Sequence, residues 1–220
     1  MAGHGIGGNW QLADRRPVTM RALIRSLDAT LRQVQGVFEF SDDETCLFRM
    51  QLTHSRGDLL LCHGILPKGA AVLELHIWNE HTPKLPPSGP DLVWANRTRR
   101  LLINSLYAVG QQIETNPRLV NIKAVGGVSV LLSSGDRSSG ERMIQQLGFN
   151  TLPHHNRLGR FGAFWENLYS WWLMWAFNPV SHKHRELLEM QRVEFWMSTG
   201  EFLQHYGKSA RDAVACLLVI

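Results

Sequence analysis

The chain has 220 residues, of which 44% are hydrophobic and 19% are charged. That composition allows a sizeable core in one domain of ordinary size and excludes a chain that is disordered throughout. The formal net charge of +4 permits an anionic partner but does not require one.

The two ends of the chain differ from its middle. Residues 1–16 are rich in glycine and lack the apolar segment of a secretory signal, so we expect a disordered tail there. No apolar run of the sequence reaches the roughly 18–20 residues of a membrane-spanning helix. Three cysteines without a CxxC pair fit a reducing compartment. We therefore expect a cytoplasmic protein with one domain over residues 17–207 and a C-terminal tail over residues 208–220.

In chain order, the first predicted element is an amphipathic helix. Apolar residues recur at helical spacing from Thr19 onward, and Gly36 is a natural end for the helix. Residues 37–78 follow with several short alternating runs, beginning with GVFEFS, and are typical of an antiparallel meander. Four prolines within TPKLPPSGPD then predict a loop.

The second half of the chain begins with the longest helical pattern, residues 91–115. One or two strands follow over residues 119–132, interrupted at Gly126–Gly127. The next segment is a short helix that Ser138 and Glu141 would cap and Gly148 would end.

Further strands are predicted at FNTLP and RVEFWMS. Between them lie an aromatic helix and a short charged helix near residues 181–190. A last helix has Ser198 and Glu201 as a capping box and Gly207 as its end. Together the elements predict a single α+β domain with a mainly antiparallel sheet and helices on at least one face.

A polar cluster lies where one predicted strand ends, in LHIWNEHTP. It contains His76, Asn79 and Glu80, and a histidine near a carboxylate can transfer protons or bind a metal. The spacings of the zinc metalloproteases are absent, and a strand would not align such ligands. Two interpretations stay open: a structural role, which we favour, and catalysis by these three residues.

The most unusual stretch is FWENLYSWWLMWAFNP, residues 164–179, which holds four of the eight Trp. On a helical wheel, a stripe from Phe161 to Trp175 covers an arc of about 120° that would suit a core. Leu173, Met174 and Phe177 fall outside that stripe. Either neighbouring segments cover them, or they contact lipid or a partner.

Cations flank the aromatic helix on both sides, which suits anionic headgroups. On this second interpretation, the lipid- or partner-binding residues are Trp171, Trp172, Leu173, Met174, Trp175, Phe177, Arg157, Arg160, Lys183 and Arg185.

Other site patterns are weak. The histidine pairs lack zinc spacing, so no metal site is predicted. The cluster of Arg97, Arg99 and Arg100 is explained by a solvated helix face, which argues against nucleic acid. A helix followed by LGF, residues 147–149, occurs in N-acetyltransferases, but the loop that cradles coenzyme A is missing. Acyl transfer is therefore a remote alternative, and the sequence identifies neither a cofactor nor an oligomeric state.

Several short motifs together resemble the YkoP-like domain family of bacteria. They are LFRMQLT (47–53), LELHIWNE (73–80), LGF (147–149) and VEFWMSTGEFLQHYG (193–207). The resemblance implies His76 and Asn79 as shared polar positions. It also implies a setting in envelope metabolism, because members are associated with envelope and polysaccharide genes. The segment CHG, residues 62–64, departs from the Asp-Gly turn that is frequent in the family.

These observations lead us to expect a peripheral protein at the inner face of the bacterial membrane. Its partner would be an anionic membrane surface or a membrane or envelope protein. The alternative is an enzyme that acts on an amphiphilic or envelope substrate through His76, Asn79 and Glu80.

Overall fold

Six helices and seven strands make up this computed structural model, which describes residues 15–130, 137–154, 158–182, 190 and 192–217. The helices are α1 (Arg15–Gln35), α2 (Leu92–Thr115), α3 (Arg137–Gln146), α4 (Gly159–Phe177), α5 (Thr199–Tyr206) and α6 (Lys208–Leu217). The strands are β1 (Phe48–His54), β2 (Leu59–Leu61), β3 (Gly64–Leu66), β4 (Ala71–Ile77), β5 (Ala124–Val130), β6 (Asn150–Pro153) and β7 (Arg192–Ser198). The predicted α+β class is confirmed.

Five strands form one sheet in the order β1-β4-β5-β7-β6, and all neighbours are antiparallel except β4 and β5. The predicted meander is wrong in one respect. Strand β1 pairs with β4, and the chain between them forms a separate hairpin of β2 and β3. The segment GVFEFS contributes only an isolated bridge between Phe38 and Met50. Strand β5 runs without a break through Gly126–Gly127, which corrects the predicted interruption.

The predicted helix ends agree with the structure where it describes them. Gly36 directly follows α1 and Gly148 lies two residues after α3, and both have a positive φ, 71° and 88°. Ser198 and Glu201 form the expected capping box of α5. The C-terminal segment, for which no element was predicted, forms α6 from Lys208. Three predictions fall outside the described residues. They concern the tail before residue 15, the capping side chain of Ser138 and most of the charged helix near residues 181–190.

The main core lies between one face of the sheet and helices α2 and α5. Alternate residues of β1, β4, β5 and β7 point toward these helices, and Met50, Leu73, Val125 and Met197 are fully buried. Val109 of α2 and Phe202 of α5 are fully buried against them. Gly110 brings α2 close to α5, because a Cβ there would lie 2.1 Å from the carbonyl oxygen of Tyr206. This face is the ordinary apolar side of an α+β sheet.

The opposite face of the sheet, which we call the polar face, carries polar side chains beside a small apolar cluster of Leu59, Val72, Ala124 and Trp196. Gln51 on β1 lies in register with Glu74 on β4, and Arg49 lies in register with His76. Helix α1 approaches this face at Gln35, whose carbonyl oxygen accepts a hydrogen bond from Gln51 at 2.8 Å. Helix α4 approaches it through Arg192 of β7, which donates to the hydroxyl of Ser170 at 2.8 Å. The candidate sites lie on this side of the sheet.

Candidate functional site

The predicted core face of the aromatic helix is wrong for its first half and for Trp172. Among its stripe residues, Phe161 is 67% exposed, Trp165 is 50% exposed and Phe164 is 39% exposed, so this part of α4 is not a core face. Trp172, one turn short of the end of the helix, is also exposed. We call the set Leu158, Phe161, Phe164, Trp165 and Trp172 the aromatic stripe. The buried residues of α4 are small or polar: Gly162, Asn167 and Ala176.

The last two turns of α4 are partly covered. Trp171, Leu173, Met174, Trp175 and Phe177 are half-buried. The prediction had left open what covers Leu173, Met174 and Phe177. The guanidinium carbon of Arg21 lies 5.1 Å from the ring centroid of Trp175, and that of Arg25 lies 5.0 Å from the ring of Phe177. These cation–π contacts come from α1, so this neighbouring helix covers Trp175 and, of the three residues outside the predicted stripe, Phe177.

The structure describes one of the four cations that were predicted to flank the aromatic helix. Arg160 is exposed at the start of α4. Arg157, Lys183 and Arg185 lie outside the described residues, and their predicted role stays a prediction.

Helix α1 is attached to α4 through a buried carboxylate. The hydroxyl of Tyr169 donates to Asp28 Oδ1 at 2.6 Å, and Arg32 forms an ion pair with Asp28 at 3.0 Å. Asp28 is only 4% exposed. Burial, and then the hydrogen bond to Asp28, raise the pKa of Tyr169 above its ordinary value of 10. The outward side of α1 exposes Met20, Leu23 and Leu27, which we call the aliphatic stripe.

The outward sides of these two helices lack negative charge. Asp28 is the only acidic residue of α1, and Glu166 is the only one of α4. Asp28 is buried, and Glu166 pairs with His154 at 3.2 Å and Arg192 at 3.4 Å on the inner side. Arginines are the only charged residues that remain on these two helices, and Arg25 and Arg160 are exposed.

The predicted catalytic residues take up separate positions. The Nε2 atom of His76 lies 2.9 Å from Oε1 of Gln51, on the polar face of the sheet. Glu80 forms ion pairs with Arg49 at 3.2 Å and with Arg32 at 3.7 Å. Asn79 is half-buried in the turn between them. None of the three lines the cavity of about 410 Å³ that lies on the same face of the sheet, so the catalytic hypothesis stays a prediction.

The environment of His76 makes a pH effect on stability testable. Burial lowers the pKa of His76 below its ordinary value of 6.5, while the charge of Glu74 opposes the shift. The unfolded chain therefore binds a proton at this residue at a higher pH than the folded chain. We expect the free energy of unfolding to fall as the pH drops below 6.5, by at most about 1.4 kcal/mol per pH unit. His76→Gln should reduce this slope.

Urea unfolding of both proteins at about pH 5.5 and about pH 7.5 measures the effect. If the parent protein and His76→Gln lose the same free energy of unfolding between the two pH values, then His76 has the same pKa in the folded and unfolded chains. That result would contradict the expectation.

A cavity of about 410 Å³ on the polar face was not predicted. Its lining includes Glu74 of β4, Glu194 of β7, Glu166 of α4 and His154, which follows β6. Both ring nitrogens of His154 contact carboxylates, with Nδ1 3.0 Å from Glu194 and Nε2 3.2 Å from Glu166. The sequence did contain one indication of this cavity: Glu74 precedes His76 by two residues, so both side chains lie on the same face of the strand. That spacing does not show that β6, β7 and α4 bring His154, Glu194 and Glu166 to the same face.

The cavity residues do not have the arrangement of a metal site. Among the described residues, no three His, Cys, Asp or Glu side chains are grouped as ligands of one ion.

None of the helices in the described part of the chain combines the length and apolar character that crossing a membrane requires.

Comparison with known proteins places the fold and motifs in one family. The YkoP domain model matches residues 18–206, and the chain therefore belongs to the YkoP domain family. Neither a curated protein nor a solved structure matches the chain significantly. The resemblance inferred from the short motifs is thus confirmed, and the match assigns no activity.

Proposed function

We propose that this protein binds the anionic inner surface of the bacterial membrane through the outward sides of α4 and α1. One observation carries the proposal. The aromatic stripe is exposed on a helix whose only carboxylate, Glu166, is turned inward. An exposed apolar patch of this kind usually marks a binding surface.

The chemistry of the surface favours lipid as its partner. Phe161 and Trp165 have large rings, and aromatic rings partition to the boundary between headgroups and acyl chains. Arg25 and Arg160 provide positive charge for anionic headgroups. A buried Asp28 avoids the repulsion that an exposed carboxylate would add. Aromatic residues, arginines and the absence of exposed acids are typical of helices that lie in the membrane interface.

The setting in envelope metabolism forms part of the same proposal and is supported by the family resemblance alone. A peripheral position at the inner membrane face would bring the protein to lipid-linked or membrane-bound components of that metabolism. The lipid surface can be tested without knowing those components.

Vesicle flotation tests the proposal. The protein should float with vesicles of phosphatidylglycerol and phosphatidylcholine, and less with phosphatidylcholine alone, because charge contributes to binding. Replacing two exposed rings, Phe161→Ser with Trp165→Ser, should weaken binding at least about tenfold. Added salt should weaken binding further, since exposed charges are screened.

A matched control comes from the hairpin of β2 and β3. Leu60 and Ile65 are 61% and 68% exposed, so Leu60→Ser with Ile65→Ser removes exposed apolar groups elsewhere. This control should float like the parent protein. The proposal would be contradicted if the parent protein did not float. It would also be contradicted if the α4 double variant and the hairpin double variant lost vesicle binding equally.

A further inference from the structure

The cavity on the polar face has an unusual balance of charge. Its lining contains the carboxylates of Asp58, Glu74, Glu166 and Glu194 but only one arginine, Arg56. The whole chain, by contrast, has a formal net charge of +4. This cavity therefore concentrates negative charge in a basic protein, and its volume of about 410 Å³ lies in the range of small-molecule sites.

Glu74 is the least satisfied of these carboxylates. It is 8% exposed, and no hydrogen bond reaches its carboxylate from any residue that the structure describes. Its ion pair with Arg56 spans 3.9 Å, and the Arg56 side chain is 64% exposed at the rim. The carboxylate opens into the cavity, where its protein partner is this distant ion pair. Glu74 thus has capacity for a donor that enters the cavity.

The other carboxylates of the cavity are held in place by protein donors. His154 lies between Glu166 and Glu194, and its side chain is 9% exposed. The indole N–H of Trp196 donates to Glu194 Oε2 at 3.1 Å. The Asp58 carboxylate accepts the backbone N–H of Lys68 at 2.8 Å. Glu74 is consequently the position at which a ligand cation would gain most.

The remaining walls are apolar. Leu59 and Val72 are buried, and Leu152 and Val128 are half-buried on neighbouring strands. The indole of Trp196 lies against Gly126, since a Cβ at that glycine would be 2.5 Å from Trp196 Cε3. An aromatic ring next to carboxylates suits an organic cation, which gains both ionic and cation–π contacts.

We propose that this cavity binds a small organic amine, with its ammonium group on Glu74 and its carbon chain against the apolar walls. An ammonium ion has three donors and no acceptor, which complements a carboxylate that lacks donors. The bound amine takes the place of the distant guanidinium of Arg56. The site is separate from the outward sides of α1 and α4, so it does not depend on membrane binding.

Titration of the full chain with n-hexylamine tests this proposal, with n-hexanol and hexanoate as neutral and anionic isosteres. The side-chain N–H signal of Trp196 in a ¹H–¹⁵N spectrum reports binding, and Trp196→Phe assigns it. Hexylamine should produce a saturable shift of this signal, whereas hexanol and hexanoate should not. Glu74→Gln should weaken hexylamine binding at least about tenfold, because it removes a charge-assisted hydrogen bond.

Two further variants sharpen the test. Glu44→Gln removes an exposed carboxylate outside the cavity and should leave binding unchanged. Arg56→Ala removes the competing cation at the rim and should tighten binding about threefold. The opposite signs expected for Glu74→Gln and Arg56→Ala keep the proposal testable if the buried variant fails to fold.

Several results would overturn the proposal. They are a hexanol affinity equal to that of hexylamine, no hexylamine shift, or shifts unaffected by both cavity variants. A saturable response to Zn²⁺ or Mn²⁺ without one to hexylamine would identify a metal site instead. Vesicle flotation of Glu74→Gln should match the parent protein, so failure of one proposal is distinguishable from failure of the other.

Discussion

A Gly126→Ala protein should lose about 3 kcal/mol or more of its free energy of unfolding. The added Cβ would lie 2.0 Å from the carbonyl oxygen of Phe195 and 2.5 Å from Trp196 Cε3. One contact is with the backbone of the paired strand β7, so no side-chain rotation relieves it. Either the β5–β7 pairing opens or the backbone shifts, and both outcomes also displace Trp196 from the cavity. Urea unfolding measures the loss.

Gly200→Ala is the matched control for this prediction. Gly200 lies in α5, and a Cβ there would meet no heavy atom within 4 Å. Alanine is the better helix former, so this variant should be neutral or more stable by up to about 1 kcal/mol. Similar stability of Gly126→Ala and Gly200→Ala would show that the close approach at Gly126 does not constrain the fold.

The elements of this fold could be predicted because their signals are local. The end of α1 at Gly36 and the capping box at Ser198 and Glu201 depend on residues within one turn. The alternation in β1 gives both its core face and its polar face. The pairing of β1 with β4 across a hairpin has no such local signal, so the meander prediction was wrong.

The candidate sites could not be predicted from local sequence signals either, because they depend on how whole elements pack. A helical wheel identifies an apolar stripe on α4, but not which side of the helix faces the protein. The small residues Gly162 and Ala176 are buried while Phe161 and Trp165 are exposed. The polar residues of α4 explain this orientation, since Glu166 and Tyr169 find partners in His154 and Asp28, which lie 12 and 141 residues away in sequence. These partners could be found only after the fold was known.

Replacing Asp28 with alanine should destabilise the protein by about 3 kcal/mol, because it removes a buried carboxylate that holds two groups. The hydroxyl of Tyr169 loses its acceptor at 2.6 Å. The guanidinium of Arg32 loses an ion pair at 3.0 Å while keeping its more distant ones with Glu39 and Glu80. Tyr169→Phe alone should cost about 1.5 kcal/mol in the parent protein but much less when Asp28 is already alanine. Unfolding of the four proteins of this cycle gives the coupling free energy directly.

Thr30→Ala provides the control on the same helix. Its hydroxyl is exposed and donates only to Ser26, one turn earlier, so its removal should change stability by less than about 0.5 kcal/mol. Additive costs of Asp28→Ala and Tyr169→Phe, within about 0.5 kcal/mol, would show that their hydrogen bond does not join α1 to α4. A measured coupling would support this bond as the attachment of the arginine-bearing helix α1 beside the aromatic stripe. It would also explain why the single acidic residue of α1 is buried on a helix with five arginines.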